Sequence, residues 1–153
     1  MEISKAIQVK FRQYTSADLD AVVSIFRSNI PKYFGPEEEA GLCDFLAEHP
    51  HDYFVGEIDS EVVAAGGIAI NEDQTVSLCW GMVRSDHLGT GLGRELTACR
   101  IEKAQEKFGD MPLITRTSQH TQGFYEKFGF RLIEHTPDGF GPGIDFCLMQ
   151  RDV

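Results

Sequence analysis

Hydrophobic positions along the chain change period repeatedly, and each change falls at a glycine, a proline or a short polar cluster. In IQVKFRQY, residues 7–14, Val9, Phe11 and Gln13 alternate with Lys10, Arg12 and Tyr14, which predicts a first strand. TSAD, Thr15 to Asp18, resembles a capping box with aspartate in the glutamate position, and Leu19, Val22, Val23, Phe26 and Ile30 follow at helical spacing. FGPEEEAGLCDFLAEHP predicts a second helix, with Pro36 first, Glu37, Glu38 and Glu39 where the helix dipole favours carboxylates, and Pro50 past the end. DYFVGEID and EVVAAGGIAI are strand-like runs joined by a polar turn at Asp59 and Ser60, and NEDQ turns the chain into TVSLCWGMV, which completes an antiparallel meander. After a glycine-rich stretch, an apolar stripe starts at Leu92, Leu96 and Cys99 and slips to Ile101, Ala104 and Phe108, a helix that Gly109 stops. PLITRT then reads as a strand and SQHTQGFYEKFG as a short helix ended by Gly129. FRLIEH is a further strand, and GIDFCLMQR is the last, after the turn-rich TPDGFGPG. The expected order is a strand, two helices, three meander strands, a helix, a strand, a helix and two strands, all in one domain over residues 1–153.

Composition narrows the function classes. With 153 residues, 42% of them hydrophobic, the chain can bury one adequate core. A net charge of −10 argues against nucleic acid or an anionic membrane as partner and suits cationic small molecules. No apolar run approaches the roughly 20 residues of a membrane span. MEISKAIQVK also lacks the apolar segment of a signal peptide, so a soluble cytoplasmic protein is expected. Cys43, Cys79, Cys99 and Cys147 form no CxxC pair and read as buried thiols rather than zinc ligands or disulfides, and no metal is expected.

The stretch DHLGTGLGREL, Asp86 to Leu96, sets Gly89, Gly91 and Gly93 at every second position. A Walker loop needs a lysine and a hydroxyl residue after its last glycine, whereas Gly93 is followed by Arg94 and Glu95. The dinucleotide fingerprint needs GxGxxG soon after the first strand of a βαβ unit, whereas the spacing here is GxGxG and a meander precedes it. A turn whose amides point one way, before a helix beginning near Gly91, suits a pyrophosphate bound by backbone alone. The alternatives are a tight connection to a closely packed helix, or a nucleotide-binding loop of another kind.

VRSDHLGTGLGREL and the later QGFYEKFGF together resemble the GNAT superfamily of acyl-CoA-dependent N-acyltransferases. The family's loop has glutamine or arginine, two residues, glycine, one residue, then glycine or alanine. It falls on Leu88, Gly89, Thr90, Gly91, Leu92 and Gly93, with Leu88 where the family usually carries glutamine or arginine. FYEKFGF, Phe124 to Phe130, matches the second motif without a gap. The resemblance implies an α/β (α+β) fold, a mixed and mostly antiparallel sheet of six to seven strands with splayed central strands and about four flanking helices. It also implies acetyl-CoA as co-substrate and a primary amine of a small molecule or peptide as acceptor, with direct transfer in a ternary complex. The strand ending at Val83 and the strand around Leu113 to Thr117 would part, and pantetheine amides would pair with the open edge of Cys79 to Val83. Gly81 there allows close approach, and Trp80 is either a core anchor or part of the wall. Donor contacts carried over from the family fall on Met82, Val83, Leu88, Gly89, Thr90, Gly91, Leu92, Gly93, Arg94, Ser118 and Tyr125.

Acyl transfer to an amine requires a neutral amine, a stabilised oxyanion and a proton for the departing thiolate. The resemblance assigns the oxyanion to a backbone amide near Gly81 or Met82. It makes Tyr125 the general acid, since a phenol of pKa about 10 can protonate a thiolate; otherwise Tyr125 packs against or hydrogen-bonds the sulfur. The family's glutamate base falls on Ser77, which cannot take the proton itself. Either Ser77 orders a water, or a carboxylate or histidine such as Glu57 or His120 reaches the site. IPKYFGPEEE lies in the family's acceptor-facing region, where Tyr33 and Phe34 would wall an apolar pocket and Glu37 to Glu39 attract a cation, unless it is only a packed loop and helix start. The rival function is a non-catalytic acyl-CoA-binding module, suggested by the serine at 77. A homodimer is compatible with either.

Overall fold

The computed structural model describes residues 8–152; Ile7, where the expected first strand begins, lies outside the described residues, as do the start of the N-terminal run and Val153. The strands are β1 Lys10–Gln13, β2 Tyr53–Ile58, β3 Glu61–Ile70, β4 Val76–Val83, β5 Leu113–Thr117, β6 Arg131–Gly141 and β7 Ile144–Arg151. They form one sheet in the order β1-β2-β3-β4-β5-β7-β6, antiparallel at every step except β4 to β5. The helices are α1 Leu19–Ser28, α2 Glu39–Glu48, α3 Leu92–Phe108 and α4 Gln122–Glu126. Seven strands and four helices thus follow in the order the hydrophobic pattern predicts. The turn between β2 and β3 has positive φ at both Asp59 and Ser60, as a two-residue hairpin matched to strand twist requires. No helix among the described residues is long and apolar enough to cross a membrane.

Strand alternation divides the sheet into two faces. Tyr53 and Val55 pack with Val22 and Phe26 of α1 and Leu42 of α2, whereas Phe54 between them packs with Ala104 of α3 and Tyr125 of α4. On β4, Val76 and Leu78 belong to the α3–α4 face, yet Trp80 and Met82 pack on the α1–α2 face. A β-bulge causes this switch: Gly67 pairs with Cys79 and Ala65 with Met82, so β4 carries one extra residue there and every later side chain changes face. Trp80 sits at the bulge with φ +48°, and the buried Tyr53 hydroxyl donates to its carbonyl at 2.9 Å.

Asp18 is the anchor of the first helix. Its carboxylate accepts the Thr15 amide at 2.9 Å, and two guanidinium nitrogens of Arg12 at 2.8 Å each. The Arg12 hydrogen bonds hold the Asp18 carboxyl below its ordinary value. A depressed carboxyl contributes stability above its unfolded-state value of about 3.9, and loses it as pH falls through the folded value. Asp18→Asn is therefore expected to cost about 1–2 kcal/mol at pH 7, discounted because Arg12 is part-exposed. The gap between variant and wild-type urea midpoints should narrow at pH 3, and an equal gap at both pH values would contradict the ion-pair account.

Two expectations need correction. β6 runs through the whole of TPDGFG, residues 136–141, which reads as a turn in the sequence. As an edge strand it tolerates Pro137, and its ladder to β7 breaks between Thr136 and Gly141, where the Asp138 amide donates to Asp145 at 2.9 Å. The stripe of α3 also runs through Arg100 rather than Cys99: the buried positions are Leu92, Leu96, Thr97, Arg100 and Ala104, and Ile101 and Phe108 are partly buried against the same core as Ala104. The four-residue spacing is unbroken, and a charged residue occupies one of its steps.

Candidate active site

β4 and β5 pair only from Val76–Leu113 to Leu78–Thr115, and the Thr115 hydroxyl donates to the Leu78 carbonyl at 3.3 Å on the last rung. Beyond it β5 continues along β7, through Arg116–Leu148 and Thr117–Cys147, while β4 bends away at the bulge. The expected splay is therefore present, and the edge of Cys79 to Val83 on that side has no strand partner among the described residues. A cavity of about 420 Å³ occupies the gap. Trp80, Gly81 and Met82 of β4, Ser118, and Tyr125 of α4 line it from the sheet and α4, and Tyr33 and Phe34 wall the side toward α1. Asn29 ties this frame together, its amide donating to the carbonyls of Ile25 and Val83 at 2.9 Å each.

The glycine loop stands at one mouth of the cavity. Gly89 and Gly91 have φ of +79° and +90°, which side-chain-bearing residues rarely adopt, and α3 starts directly after Gly91. The Glu95 amide bonds to the Gly91 carbonyl at 3.2 Å, so the earlier amides, Leu92 to Arg94, have no intrahelical acceptor and sit at the positive end of a 17-residue helix. Leu88, 45% exposed, and Gly93 line the cavity. Gly89, Thr90 and Arg94 are exposed outside it, the Thr90 hydroxyl donating to the His87 carbonyl at 2.6 Å, and Leu92 is fully buried in the core. Val83 is buried at the end of β4 and also lines the cavity.

Tyr125 is buried, its ring edge-on to Phe124 and Phe130, and its hydroxyl accepts a hydrogen bond from Arg100 Nη2 at 3.0 Å. The stripe Leu92, Leu96, Arg100, Ala104 was the signal for Arg100, a cation that the sequence pattern passed over. Cys79 also lines the cavity, and burial pushes its thiol up to about 12, so it stays protonated at neutral pH.

Ser77 is not part of this cavity wall. It lies buried in the paired half of β4, where its oxygen accepts from Asn71 at 2.9 Å and from Arg116 at 3.3 Å. Glu57 is engaged by Arg12 at 2.8 Å on the β1–β2 ladder, and His120 is exposed with its ring edge-on to Tyr33. Among the described residues the carboxylate that does line the cavity is Glu38. Burial raises its carboxyl above the ordinary value, although the Gly35 amide, donating at 2.8 Å, opposes the shift. No cluster of three His, Cys, Asp or Glu side chains fit to hold a metal occurs among the described residues.

Residues 19–130 match the model of the acetyltransferase (GNAT) family. Blasticidin-S acetyltransferase of Streptomyces morookaense is 34% identical over 79 residues, 51% of this chain and 56% of that protein, so the match spans about half of that relative's length. Among solved structures, Ard1 from Thermoplasma volcanium superposes with a TM-score of 0.80 at 18% identity, covering 95% of this chain and 97% of that one. Ribosomal-protein-alanine N-acetyltransferase from Brucella melitensis does so with a TM-score of 0.77 at 23% identity, over 94% and 99% of the chains. A Salmonella typhimurium protein solved with its cofactor acetyl-CoA gives 0.73 at 18% identity, over 95% and 94%. At these identities the structural likeness is one of fold.

Proposed function

We propose, on the premise that this chain belongs to the acetyltransferase (GNAT) family, that it moves an acetyl group from acetyl-CoA directly to a primary amine of a small molecule or peptide. The observation that carries this reading is the divergence of β4 from β5 after Leu78, with Tyr125 in the wall of the resulting cavity. Bound acetyl-CoA supplies an activated acyl carbon and a thiolate leaving group. The free edge of Cys79 to Val83 offers backbone groups to an extended arm, and the amides at Leu92 to Arg94 offer donors to a pyrophosphate. The β4 amide at Gly81 or Met82, beside the bulge, is the donor for the oxyanion. Tyr125 gives its proton to the sulfur as the carbon–sulfur bond breaks. A thiol as basic as Cys79 is a poor nucleophile, which favours direct transfer in a ternary complex over an acyl-enzyme.

Glu38 takes the role that Ser77 cannot fill. A carboxyl that burial raises above its ordinary value is the better base for an ammonium proton, and beside Tyr33 and Phe34 it also attracts a cation. The test is release of CoA thiol with a panel of amines, among them blasticidin S, a peptide beginning with alanine and a polyamine, using wild type and Glu38→Gln. Turnover with at least one amine is expected, with kcat/KM about 10²-fold lower in the variant. Thiol release by neither protein while CoA still binds would favour the non-catalytic acyl-CoA-binding module. Equal kcat/KM in the two proteins would remove Glu38 from the reaction.

A further inference from the structure

Arg100 is 1% exposed, and no carboxylate among the described residues hydrogen-bonds its guanidinium. Its Nη2 donates to Tyr125 at 3.0 Å and reaches the Thr97 hydroxyl at 3.4 Å, but Nε and Nη1 have no partner among the described residues. Two glycines on neighbouring strands make room for it. A Cβ at Gly81 would lie 2.6 Å from Nη1, and one at Gly66 would lie 2.8 Å from Cδ. A buried cation without a counter-ion is costly, so a chain that builds a slot for one points to an anion that forms there at some stage.

Direction comes from the donor inventory. Arginine has five N–H donors and no acceptor, so the Tyr125 oxygen must accept from it, and the phenolic hydrogen must point elsewhere. No protein group among the described residues takes that hydrogen, and Tyr125 faces the cavity.

We propose that Arg100 is the positioning residue for proton delivery: it fixes the Tyr125 hydroxyl with its hydrogen toward the cavity and then pairs with the phenolate left behind. The inference rests on the reading of Tyr125 as the acid. The Tyr125 O–H bond breaks and an S–H bond forms as the carbon–sulfur electron pair goes to sulfur. The phenolate keeps the O–H electron pair, held by a charge-assisted hydrogen bond from the guanidinium. As the amine nitrogen bonds to the acyl carbon it sheds a proton, which Glu38 takes and passes to solvent, and one from solvent returns to Tyr125, so that protons balance.

The test is a cycle of wild type, Arg100→Met, Tyr125→Phe and the double variant. It is read as kcat, as the dissociation constant of CoA by calorimetry, and as the urea midpoint. Arg100→Met is expected to lower kcat at least about tenfold, with CoA affinity within about threefold of wild type. In the Tyr125→Phe background it should cost less than about twofold, because its effect runs through the hydroxyl. The urea midpoints should be non-additive without any substrate present, and Arg100→Met should not lie below wild type, since a buried unpaired charge is removed. Arg100→Lys, alone and with Tyr125→Phe, gives the same cycle should the methionine variant not fold. The full Arg100→Met loss in the Tyr125→Phe background, or additive midpoints, overturns this inference alone. Wild-type kcat in Tyr125→Phe overturns the acid reading and this inference with it.

Discussion

Tyr125→Phe is expected to lower kcat by about 10²- to 10⁴-fold while acetyl-CoA affinity stays close to wild type and the unfolding midpoint falls only modestly, because buried Arg100 loses its acceptor. The substitution keeps the ring in its cluster with Phe124 and Phe130 and deletes only the oxygen that accepts from Arg100. Steady-state kinetics with calorimetric binding and a urea titration separate three outcomes. A fall in kcat with affinity intact and the midpoint little lowered supports proton donation. Unchanged kcat with a raised KM would make Tyr125 a binding residue, and a joint collapse of kcat and stability would make the hydroxyl structural.

Gly91→Glu is expected to weaken CoA binding at least tenfold, about 1.4 kcal/mol. The new side chain adds a negative charge where amides gather at the start of α3, and a φ of +90° is strained for any residue with a Cβ. Gly91→Ala carries the strain without the charge, so the difference between the two variants isolates the electrostatic part. Comparing melting shifts with CoA, ATP and NAD on the wild-type protein tests the ligand class of the loop. An unchanged CoA dissociation constant in a folded Gly91→Glu protein would sink the assignment.

Much of the fold was legible because its elements obey one period at a time. Tyr53 to Ile58 and Glu61 to Ile70 announce a hairpin through Asp59 and Ser60, and Thr15 and Asp18 announce a helix start. The strand β6 was under-read because Pro137, Asp138 and Gly139 signal a turn locally, while an unpaired outer edge leaves the backbone free to carry them. The splay between β4 and β5 came from the family resemblance, whereas its local cause, the bulge at Trp80, leaves no trace in an alternating run of residues. Nor does alternation reveal that Leu78 and Met82 face opposite sides of the sheet. In the site, Met82, Gly93 and Tyr125 line the cavity between β4 and β5. Ser77 does not reach the cavity and Glu38 does, because one lies in a closed ladder and the other at a helix start folded over the opening. Arg100 was hidden by the habit of reading a charge as the solvent side of a helix.

Gly66, Gly81 and Arg100 also constrain how this chain can vary. Because a methyl group at either glycine would overlap the guanidinium or its stem, neither glycine can gain a side chain while Arg100 keeps its place. A shorter residue at position 100 lifts that bar at Gly81, whereas a Cβ at Gly66 would still meet the Gly81 Cα at 3.2 Å. The three positions therefore form a single unit of inheritance in which the order of substitution matters: the arginine can be lost first, and the glycines cannot.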